Sequence, residues 1–317
     1  MNTNKIKNNF VYGMGSFFDI FNKEHRNCFK LILDEDIKIH SSIYYTGSSF
    51  FFRKLTSETE RKKQKLIIKI AGYNLEQLKY EFDESLNEFN VDKFYGIQLW
   101  DEIPFNYEKK KINNIELNEI QKYLENLKKN QIIKKTYLQL KLFDFNISEI
   151  DEIKFFDGYA FYAYPNEAQL NFSNYDYILK NKKEFLQFQC FGGKYRNNLR
   201  DIFFRELDPK ISKKEKEKLW INNCLDFSIS FFQKNLFFVG CTRQLDRLRY
   251  LIDCLKNYTV KKKFDIKFSN KLSFVTKSDD TIKSHKKTLK FQRSLLFLFR
   301  MYLIRRIKKL FSVLLLK

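Results

Sequence analysis

The chain has 317 residues, 44% of them hydrophobic, which is long enough for one large domain or two ordinary ones with a sizeable core. Because it contains only 3 prolines and 9 glycines, the composition excludes a collagen-like fibre and a disordered low-complexity chain. The formal net charge of +21 favours anionic partners such as nucleic acid, phosphates or acidic lipid.

Strand-like and helix-like segments alternate along the chain. Short apolar runs predict buried strands, and apolar residues three or four positions apart predict amphipathic helices. The predicted strand-like segments are 9–18, 37–45, 65–71, 94–100, 136–143, 158–164, 185–191 and 235–241. The predicted helices are 24–36, 48–61, 76–89, 115–130, 214–233 and 243–257.

This alternation is typical of parallel βα units, which places the chain in the α/β class. Eight strand candidates over about 250 residues match the scale of a (β/α)8 TIM barrel. An open doubly wound sheet is the competing architecture. However, Gly13 and Gly15 do not form a GxGxxG motif, and no acidic residue follows a second strand at the required distance. We therefore predict the barrel.

The cysteines and the N-terminal segment indicate a cytoplasmic protein. The five cysteines are odd in number and form no CxxC pair, so the sequence predicts neither a disulfide framework nor a metal site. The N-terminal segment MNTNKIKNNFVYGMGS lacks the apolar core of a signal peptide. No window reaches the roughly 18 uninterrupted apolar residues that a membrane-spanning helix needs.

Six segments between about residue 10 and residue 257 have the order and spacing of one known family's motifs. They are YGMGSFF, DEDIKIHSSIYYTGSSF, KLIIKI, LKYEFDESLNEFNVDKFYGIQLW, LENLKKNQIIKKTYLQL and LFFVGCTRQLDRLRYLI. Together they resemble the aldo-keto reductases, which are (β/α)8 barrels that transfer a hydride between NADP and a carbonyl or alcohol. The fourth segment is the most specific of the six. The resemblance implies NADP as the cofactor and a small carbonyl compound as the substrate.

The family's chemistry uses four side chains at strand ends: a proton-donating Tyr, a Lys that lowers its pKa, an Asp that pairs with the Lys, and a His that directs the carbonyl. The resemblance places Lys69 at the Lys position. A lysine inside the apolar run LIIKI needs a partner or an open cavity. Trp100 falls at the His position, where an indole can donate one hydrogen bond but cannot accept a proton. Trp100 then either shapes the substrate pocket or plugs an unused barrel mouth.

The Asp and Tyr positions depend on the alignment. In one alignment the Asp position falls at Ser41 and the Tyr position at Thr46. In the other, the Asp position falls at His40 and the Tyr position at Tyr45. Neither residue at the Asp position is a carboxylate, so Lys69 lacks its usual counter-charge in both alignments. We take Ser41 and Tyr45, with Lys69 and Trp100, as the candidate catalytic residues.

The resemblance also implies a set of cofactor contacts. The Ser-Asn pair that binds the nicotinamide amide aligns with Gln139 and Leu140, of which only Gln139 can hydrogen-bond. Gly192 and Gly193 follow the strand 185–191, where the family has a glycine-containing loop over the cofactor. The strand 235–241, the turn after it and two arginines resemble the adenosine-phosphate site, where a helix N-terminus holds a phosphate. The alternative for the arginines is a solvated basic helix face. The implied NADP contacts are Gln139, Gly192, Gly193, Gly240, Thr242, Arg243 and Arg247.

Residues 281–317 form a basic, amphipathic tail beyond the resemblance. The tail holds eleven lysines and arginines and no acidic residue. This pattern favours an anionic membrane surface or a membrane protein as partner. A helix packed on the barrel and a nucleic-acid-binding arm are the alternatives, and the apolar run LLFLF argues against the latter. We predict a barrel domain over 1–265, followed by a basic linker and tail over 266–317.

Two functions from different classes fit these observations. The first is an NADP-dependent reductase of a small carbonyl substrate, with Tyr45 as the acid, Lys69 as its modulator and Trp100 shaping the pocket. The second is a non-catalytic barrel, a pseudoenzyme that binds a partner at the inner face of the membrane, for instance beside surface glycan assembly. Loss of both the Asp and the His weighs toward lost or altered chemistry.

Overall fold

A computed structural model of the chain describes most of the region between residues 9 and 258. The described residues are 9–15, 18–45, 47–71, 74–100, 105–106, 111–112, 114–139, 153–162, 183–188, 190–191, 197–232 and 235–258. All of them belong to one compact unit, Met1–Phe264. Thr46, Leu140, the glycine pair 192–193 and the predicted tail 281–317 lie outside the described residues.

Parallel strands close into a barrel. The strands in chain order are β1 Phe10–Gly13, β2 Lys38–Ser41, β3 Leu66–Ala71, β4 Gly96–Trp100, β5 Phe105–Asn106, β6 Lys111–Ile112, β7 Lys135–Gln139, β8 Gly158–Tyr162, β9 Glu184–Phe188 and β10 Leu236–Gly240. Within the described part of the chain, eight strands form the closed barrel in the order β1-β2-β3-β4-β7-β8-β9-β10, and β10 pairs with β1. The remaining two, β5 and β6, form a small antiparallel pair that the sequence analysis did not predict. The predicted (β/α)8 barrel is confirmed.

Helices connect the strands and cover the barrel. They are α1 Lys23–Asp34, α2 Ser48–Leu55, α3 Glu58–Lys63, α4 Leu75–Phe89, α5 Asn114–Lys129, α6 Asn197–Glu206, α7 Lys213–Phe232 and α8 Leu245–Asn257. The prediction of a single helix over 48–61 was wrong, because a new helix begins after Ser57. The Ser57 side chain accepts from the Glu60 backbone N–H, and the Glu60 carboxylate accepts from that of Ser57. This reciprocal capping box stabilises a second helix start.

The two faces of each strand fill two different cores, since successive side chains point to opposite sides of a strand. One small cluster fills the barrel interior, with members from six strands: Val11, Ile67, Tyr137, Ala160, Leu186 and Val239. The opposite faces pack against the helices in a larger aromatic layer. In that layer Phe29 meets Phe51 edge to face, with ring centroids 5.4 Å apart. The interior cluster therefore identifies which residues point into the barrel.

The amino-terminal end of the barrel is filled by charged and aromatic side chains. Glu184 accepts a hydrogen bond from Lys135 at 2.7 Å and another from the Tyr137 hydroxyl at 2.8 Å. The Lys38 ammonium lies 5.0 Å from the ring centre of Phe237, and burial lowers the pKa of Lys38. The polar side chains of the candidate site therefore lie at the opposite end, toward the carboxyl ends of the strands, where the active sites of such barrels are found.

Candidate active site

Lys69 and His40 point into the barrel, and Ser41 does not. Lys69 follows the interior residue Ile67 by two positions and is 8% exposed. Ser41 pairs in register with Ile68, which packs in the outer layer, so Ser41 faces the helices. Its buried hydroxyl has no hydrogen-bond partner among the described residues. His40, one position earlier, faces the interior. Of the two alignments, the placement agrees with the one that uses His40 and Tyr45.

His40 is the central polar residue of the barrel interior. It is 1% exposed, and its Nε2 lies 2.6 Å from Gln98 Oε1. Burial, and after it the nearby positive charge of Lys69, lower the pKa of His40 to about 3, while the hydrogen bond to Gln98 opposes the shift. The imidazole is therefore neutral at physiological pH. Its ring centre lies 6.3 Å from that of Tyr45 and 4.9 Å from that of Phe188.

Gln98 extends the polar interior from His40 to Gln139. Its amide nitrogen donates to Gln139 Oε1 at 3.0 Å, and Gln98 itself is fully buried. Gln139 ends β7 and is 8% exposed. Gln139 was among the predicted cofactor contacts, whereas Gln98 was not predicted. A glutamine between Ile97 and Leu99 in a buried strand was the available signal, because a buried amide requires hydrogen-bond partners.

The loop between β2 and α2 holds Tyr45 beside the interior. The Ser42 hydroxyl donates to the Lys69 carbonyl at 2.8 Å, and the Tyr45 N–H donates to the Ser42 carbonyl at 3.1 Å. Gly47 then enters α2 with φ 77°, a left-handed conformation that glycine adopts readily. On the other side of Tyr45, a Cβ added to Gly15 would lie 3.9 Å from the Tyr45 hydroxyl oxygen. These anchors place Tyr45 between Gly15 and His40.

Tyr44, the neighbouring tyrosine, is engaged on the outer side of the barrel. Its hydroxyl donates to the carboxylate of Glu81, a fully buried residue of α4. Gln77 donates to the same carboxylate oxygen at 2.6 Å. This pairing ties the loop to α4. Of these two adjacent tyrosines, Tyr44 therefore faces α4, and Tyr45 is the one that lies beside His40.

Trp100 is the last residue of β4, and its backbone pairs in register with Ala71. Its side chain lies outside the part of the structure that is described. The predicted role of the indole in shaping the pocket stays a prediction.

The N-terminus of α8 carries a carboxylate from α1. After Gly240 ends β10, the Thr242 carbonyl accepts from the Tyr12 hydroxyl at 2.8 Å. The first backbone N–H of α8, on Leu245, donates to Glu24 Oε1 at 3.1 Å. An acidic side chain therefore occupies a helix N-terminus where the resemblance implies a phosphate.

The two predicted phosphate-binding arginines have different surroundings. Arg247 Nη2 lies 3.6 Å from a carboxylate oxygen of Glu217, whose other oxygen lies 3.2 Å from Arg200. Burial lowers the pKa of Arg247, and Glu217 opposes that shift. Arg243 lies nearer the barrel mouth, where its charge contributes, after burial, to a lowered pKa of His25. Arg247 thus belongs to an ion-pair network between helices, whereas Arg243 precedes α8, and their joint binding of a phosphate stays a prediction.

A metal cluster and a membrane-spanning helix are both absent from the described part of the chain. No group of three or more His, Cys, Asp and Glu side chains there is arranged to hold a metal ion. The described helices also include none whose length and hydropathy would let it cross a membrane.

The barrel is similar to solved structures of other proteins. No protein-family model matches the sequence, and no curated protein is significantly similar to it. An aldo-keto reductase from Klebsiella pneumoniae in complex with NADPH superposes with a TM-score of 0.61 at 10% identity, over 83% of this chain and 90% of that one. The chain has the aldo-keto reductase fold.

Two other solved aldo-keto reductases agree. An enzyme from a Medee basin deep-sea metagenome library gives a TM-score of 0.58 at 12% identity, over 83% of this chain and 90% of that one. The enzyme of the silkworm Bombyx mori gives 0.55 at 10% identity, over 84% and 83%. At such identities, the similarity to aldo-keto reductases is one of fold, so the chemistry has to be argued from the residues themselves.

Proposed function

We propose that the chain is an aldo-keto reductase-like oxidoreductase that reduces a small carbonyl substrate with NADP as its cofactor. The observation that carries the proposal is the approach of Tyr45, from the loop after β2, and Lys69, from β3, to the same buried histidine in the barrel interior. A phenol and an ammonium inside a largely apolar barrel are suited to donating a proton to a carbonyl oxygen.

The residues near the mouth fit the nicotinamide end of the cofactor better than its phosphate end. Gln139 brings a hydrogen-bonding amide to the carboxyl end of β7. At the other end, Arg243 and the backbone after Gly240 are the candidate phosphate contacts. There Glu24 already accepts from the Leu245 N–H, so a phosphate would compete with its carboxylate. NADP is carried from the Klebsiella structure, which holds NADPH, as part of this proposal.

The proposed chemistry assigns a role to each interior residue. When bound, the reduced cofactor supplies a hydride to the carbonyl carbon. Tyr45 donates its hydroxyl proton to the carbonyl oxygen, which yields the alcohol. The positive charge of Lys69 stabilises the tyrosinate that remains. His40 is neutral and adds no negative charge beside Lys69, whereas an aspartate at this position would.

Substitution of two adjacent tyrosines, one at a time, tests whether Tyr45 is the general acid. In Tyr45→Phe, we expect the rate of carbonyl reduction to fall about 100-fold or more, because general acid catalysis contributes about that much. NADPH affinity, measured by fluorescence titration, should stay within about threefold. Tyr44→Phe is the matched control, since it removes the bond to Glu81 but leaves the interior intact. Equal losses in both variants, or none in Tyr45→Phe, would remove Tyr45 from the mechanism.

The second candidate function is a non-catalytic barrel that binds a partner. Glu24 at the N-terminus of α8 and the Arg247–Glu217 ion pair favour it, because both occupy groups that would otherwise hold a phosphate. Absence of NADPH and NADH binding at millimolar cofactor would support this candidate over the reductase. For the membrane contact proposed from the tail sequence, deletion of 281–317 should abolish co-sedimentation with vesicles of anionic lipid. Unchanged co-sedimentation would refute that contact.

A further inference from the structure

We infer that Gln98 is a positioning residue: with His40, it fixes the Gln139 amide with its nitrogen toward the barrel mouth, so that the mouth recognises a carbonyl oxygen on the bound ligand. The inference deepens the proposed function and rests on it, because it specifies how the site would hold the carboxamide of a nicotinamide ring. It concerns three buried side chains on β2, β4 and β7.

The direction of the hydrogen bonds from donor to acceptor is set at His40. A neutral imidazole carries its hydrogen on one ring nitrogen and accepts on the other. Gln98 Oε1 can only accept, and it lies 2.6 Å from His40 Nε2. Nε2 therefore carries the hydrogen, and Nδ1 is the acceptor. Because the ring is 1% exposed, there is little water to replace this hydrogen bond.

Gln98 passes the same direction on to Gln139. With its oxygen facing His40, its amide nitrogen donates to Gln139 Oε1 at 3.0 Å. Rotating only one of the two amides by 180° would place two oxygens or two N–H groups face to face. Such a buried mismatch leaves polar groups unsatisfied and costs about 1–3 kcal/mol for each group. The two amides therefore keep one direction or reverse together with the histidine tautomer.

This direction determines which atom of the Gln139 amide a ligand meets at the barrel mouth. Gln139 uses its oxygen on Gln98, so the group that it can present beyond the network is its N–H. Its position at the carboxyl end of β7 places that donor on the side where ligands bind in such barrels. A carbonyl oxygen, such as that of a carboxamide, is the complementary acceptor.

Cofactor analogues test the direction by calorimetry. The 3-acetylpyridine analogue of NADP keeps the carbonyl oxygen but replaces the amide nitrogen with a methyl group. Wild-type protein should bind it within about threefold of NADP, because the recognised oxygen is kept. Tenfold or weaker binding of the analogue would show that Gln139 presents its oxygen, and would overturn the inference.

Gln98→Glu reverses the expected preference. A carboxylate can only accept, so it would take the His40 hydrogen and turn the Gln139 nitrogen inward. We expect this variant to bind the acetylpyridine analogue about tenfold more weakly than NADP. Gln98→Met is the matched control of similar size, and it should bind both cofactors about equally because nothing orients Gln139. An unchanged preference in Gln98→Glu would show that Gln98 does not position Gln139.

The tautomer of His40 can be measured without any cofactor, and it tests the direction of the hydrogen bonds independently. The chain holds only 3 histidines, so selective ¹⁵N labelling gives a simple imidazole spectrum, and His40→Asn assigns the His40 signals. The inference requires the Nε2–H tautomer for His40, and the Nδ1–H tautomer would contradict it. If NADP fails to bind while the Nε2–H tautomer is seen, the proposed function fails but the direction of the network stands.

Discussion

His40 lies in the barrel interior at a position where aldo-keto reductases, by the resemblance, have a carboxylate. A carboxylate beside Lys69 would form an ion pair there, and a neutral imidazole cannot. His40 instead satisfies its N–H through Gln98, which connects it to Gln139. A histidine in place of the carboxylate therefore replaces an ion pair by a series of neutral hydrogen bonds with one direction. Such a series is sensitive to protonation of His40.

Acid should destabilise the fold through His40. Its pKa is about 3 in the folded chain against an ordinary value of 6.5, so folding favours the neutral ring. That stabilisation is complete above pH 6.5 and is lost as the pH falls toward 3, by about 1.4 kcal/mol per pH unit. When the pH is lowered from 7 to 4.5, the unfolding free energy of wild type should fall by roughly 2–3 kcal/mol more than that of His40→Gln. Urea denaturation at the two pH values measures this difference.

The control for acid sensitivity is His25→Gln, which removes a partly exposed ring from the first turn of α1. Its stability should follow pH nearly as wild type does. If His40→Gln and wild type also followed pH in parallel, His40 would not be the neutral buried group described above.

The site could be predicted from the sequence only in part, and strand alternation is the reason. The motifs indicated Lys69, and the apolar run around it fixed the strand. The choice between Ser41 and His40 required knowing which of two adjacent residues faces inward. In IKIHSS, Ser41 lies on the mainly apolar face and His40 on the polar face, and the sequence does not say which face lines the barrel interior. Gln98 was missed because its role depends on residues from β2 and β7, which no single segment reveals.

At the scale of elements, α1 and α8 meet at the barrel mouth and are joined at both ends. Glu24 accepts from the first N–H of α8, and Glu35 bonds to Lys256 near the end of α8 at 2.6 Å. Both helices were predicted nearly to their ends, but this contact was not, because its residues are 221 positions apart. The N-terminus of α8 therefore has an acidic side chain built into it.

Glu24 should weaken the binding of the phosphorylated cofactor. In Glu24→Gln, the negative charge next to the proposed phosphate site is removed. We expect NADPH to bind about three- to tenfold more tightly, while NADH, which lacks the additional phosphate, changes little. Fluorescence titration of both cofactors measures the ratio.

Glu35→Gln provides the matched control, since it removes an acid from the same helix at the end far from the mouth. It should leave both cofactor affinities unchanged. Equal tightening of NADPH and NADH in Glu24→Gln would mean that Glu24 acts through the general charge of the mouth.

The whole molecule depends on close contact between strands at the amino-terminal end of the barrel. Gly158 begins β8 between Tyr137 and Glu184 of the neighbouring strands. A Cβ there would lie 2.4 Å from the Glu184 carbonyl oxygen and 2.9 Å from Tyr137 Cδ1. Because one of these atoms belongs to the backbone, the strand spacing itself would have to change.

Gly158→Ala should therefore destabilise the barrel by about 1–3 kcal/mol or more, the range for overpacking a dense core. Gly15→Ala is the comparison, because the nearest atoms that its Cβ would meet belong to Tyr45, at ordinary contact distances of 3.8–3.9 Å. Thermal denaturation of both variants measures the difference. Similar melting temperatures for the two would show that β8 and β9 yield easily at this point.

The pairing of β1 with β10 also has a consequence for synthesis on the ribosome. The strand FVYG leaves the ribosome first among the barrel strands, and one of its two edges remains unpaired until LFFVG emerges. At about 5–20 residues per second, that interval is of the order of ten to fifty seconds. Throughout it, a short apolar edge is available to other nascent chains. Closure of the barrel by β10 therefore also removes an edge that could pair with other chains.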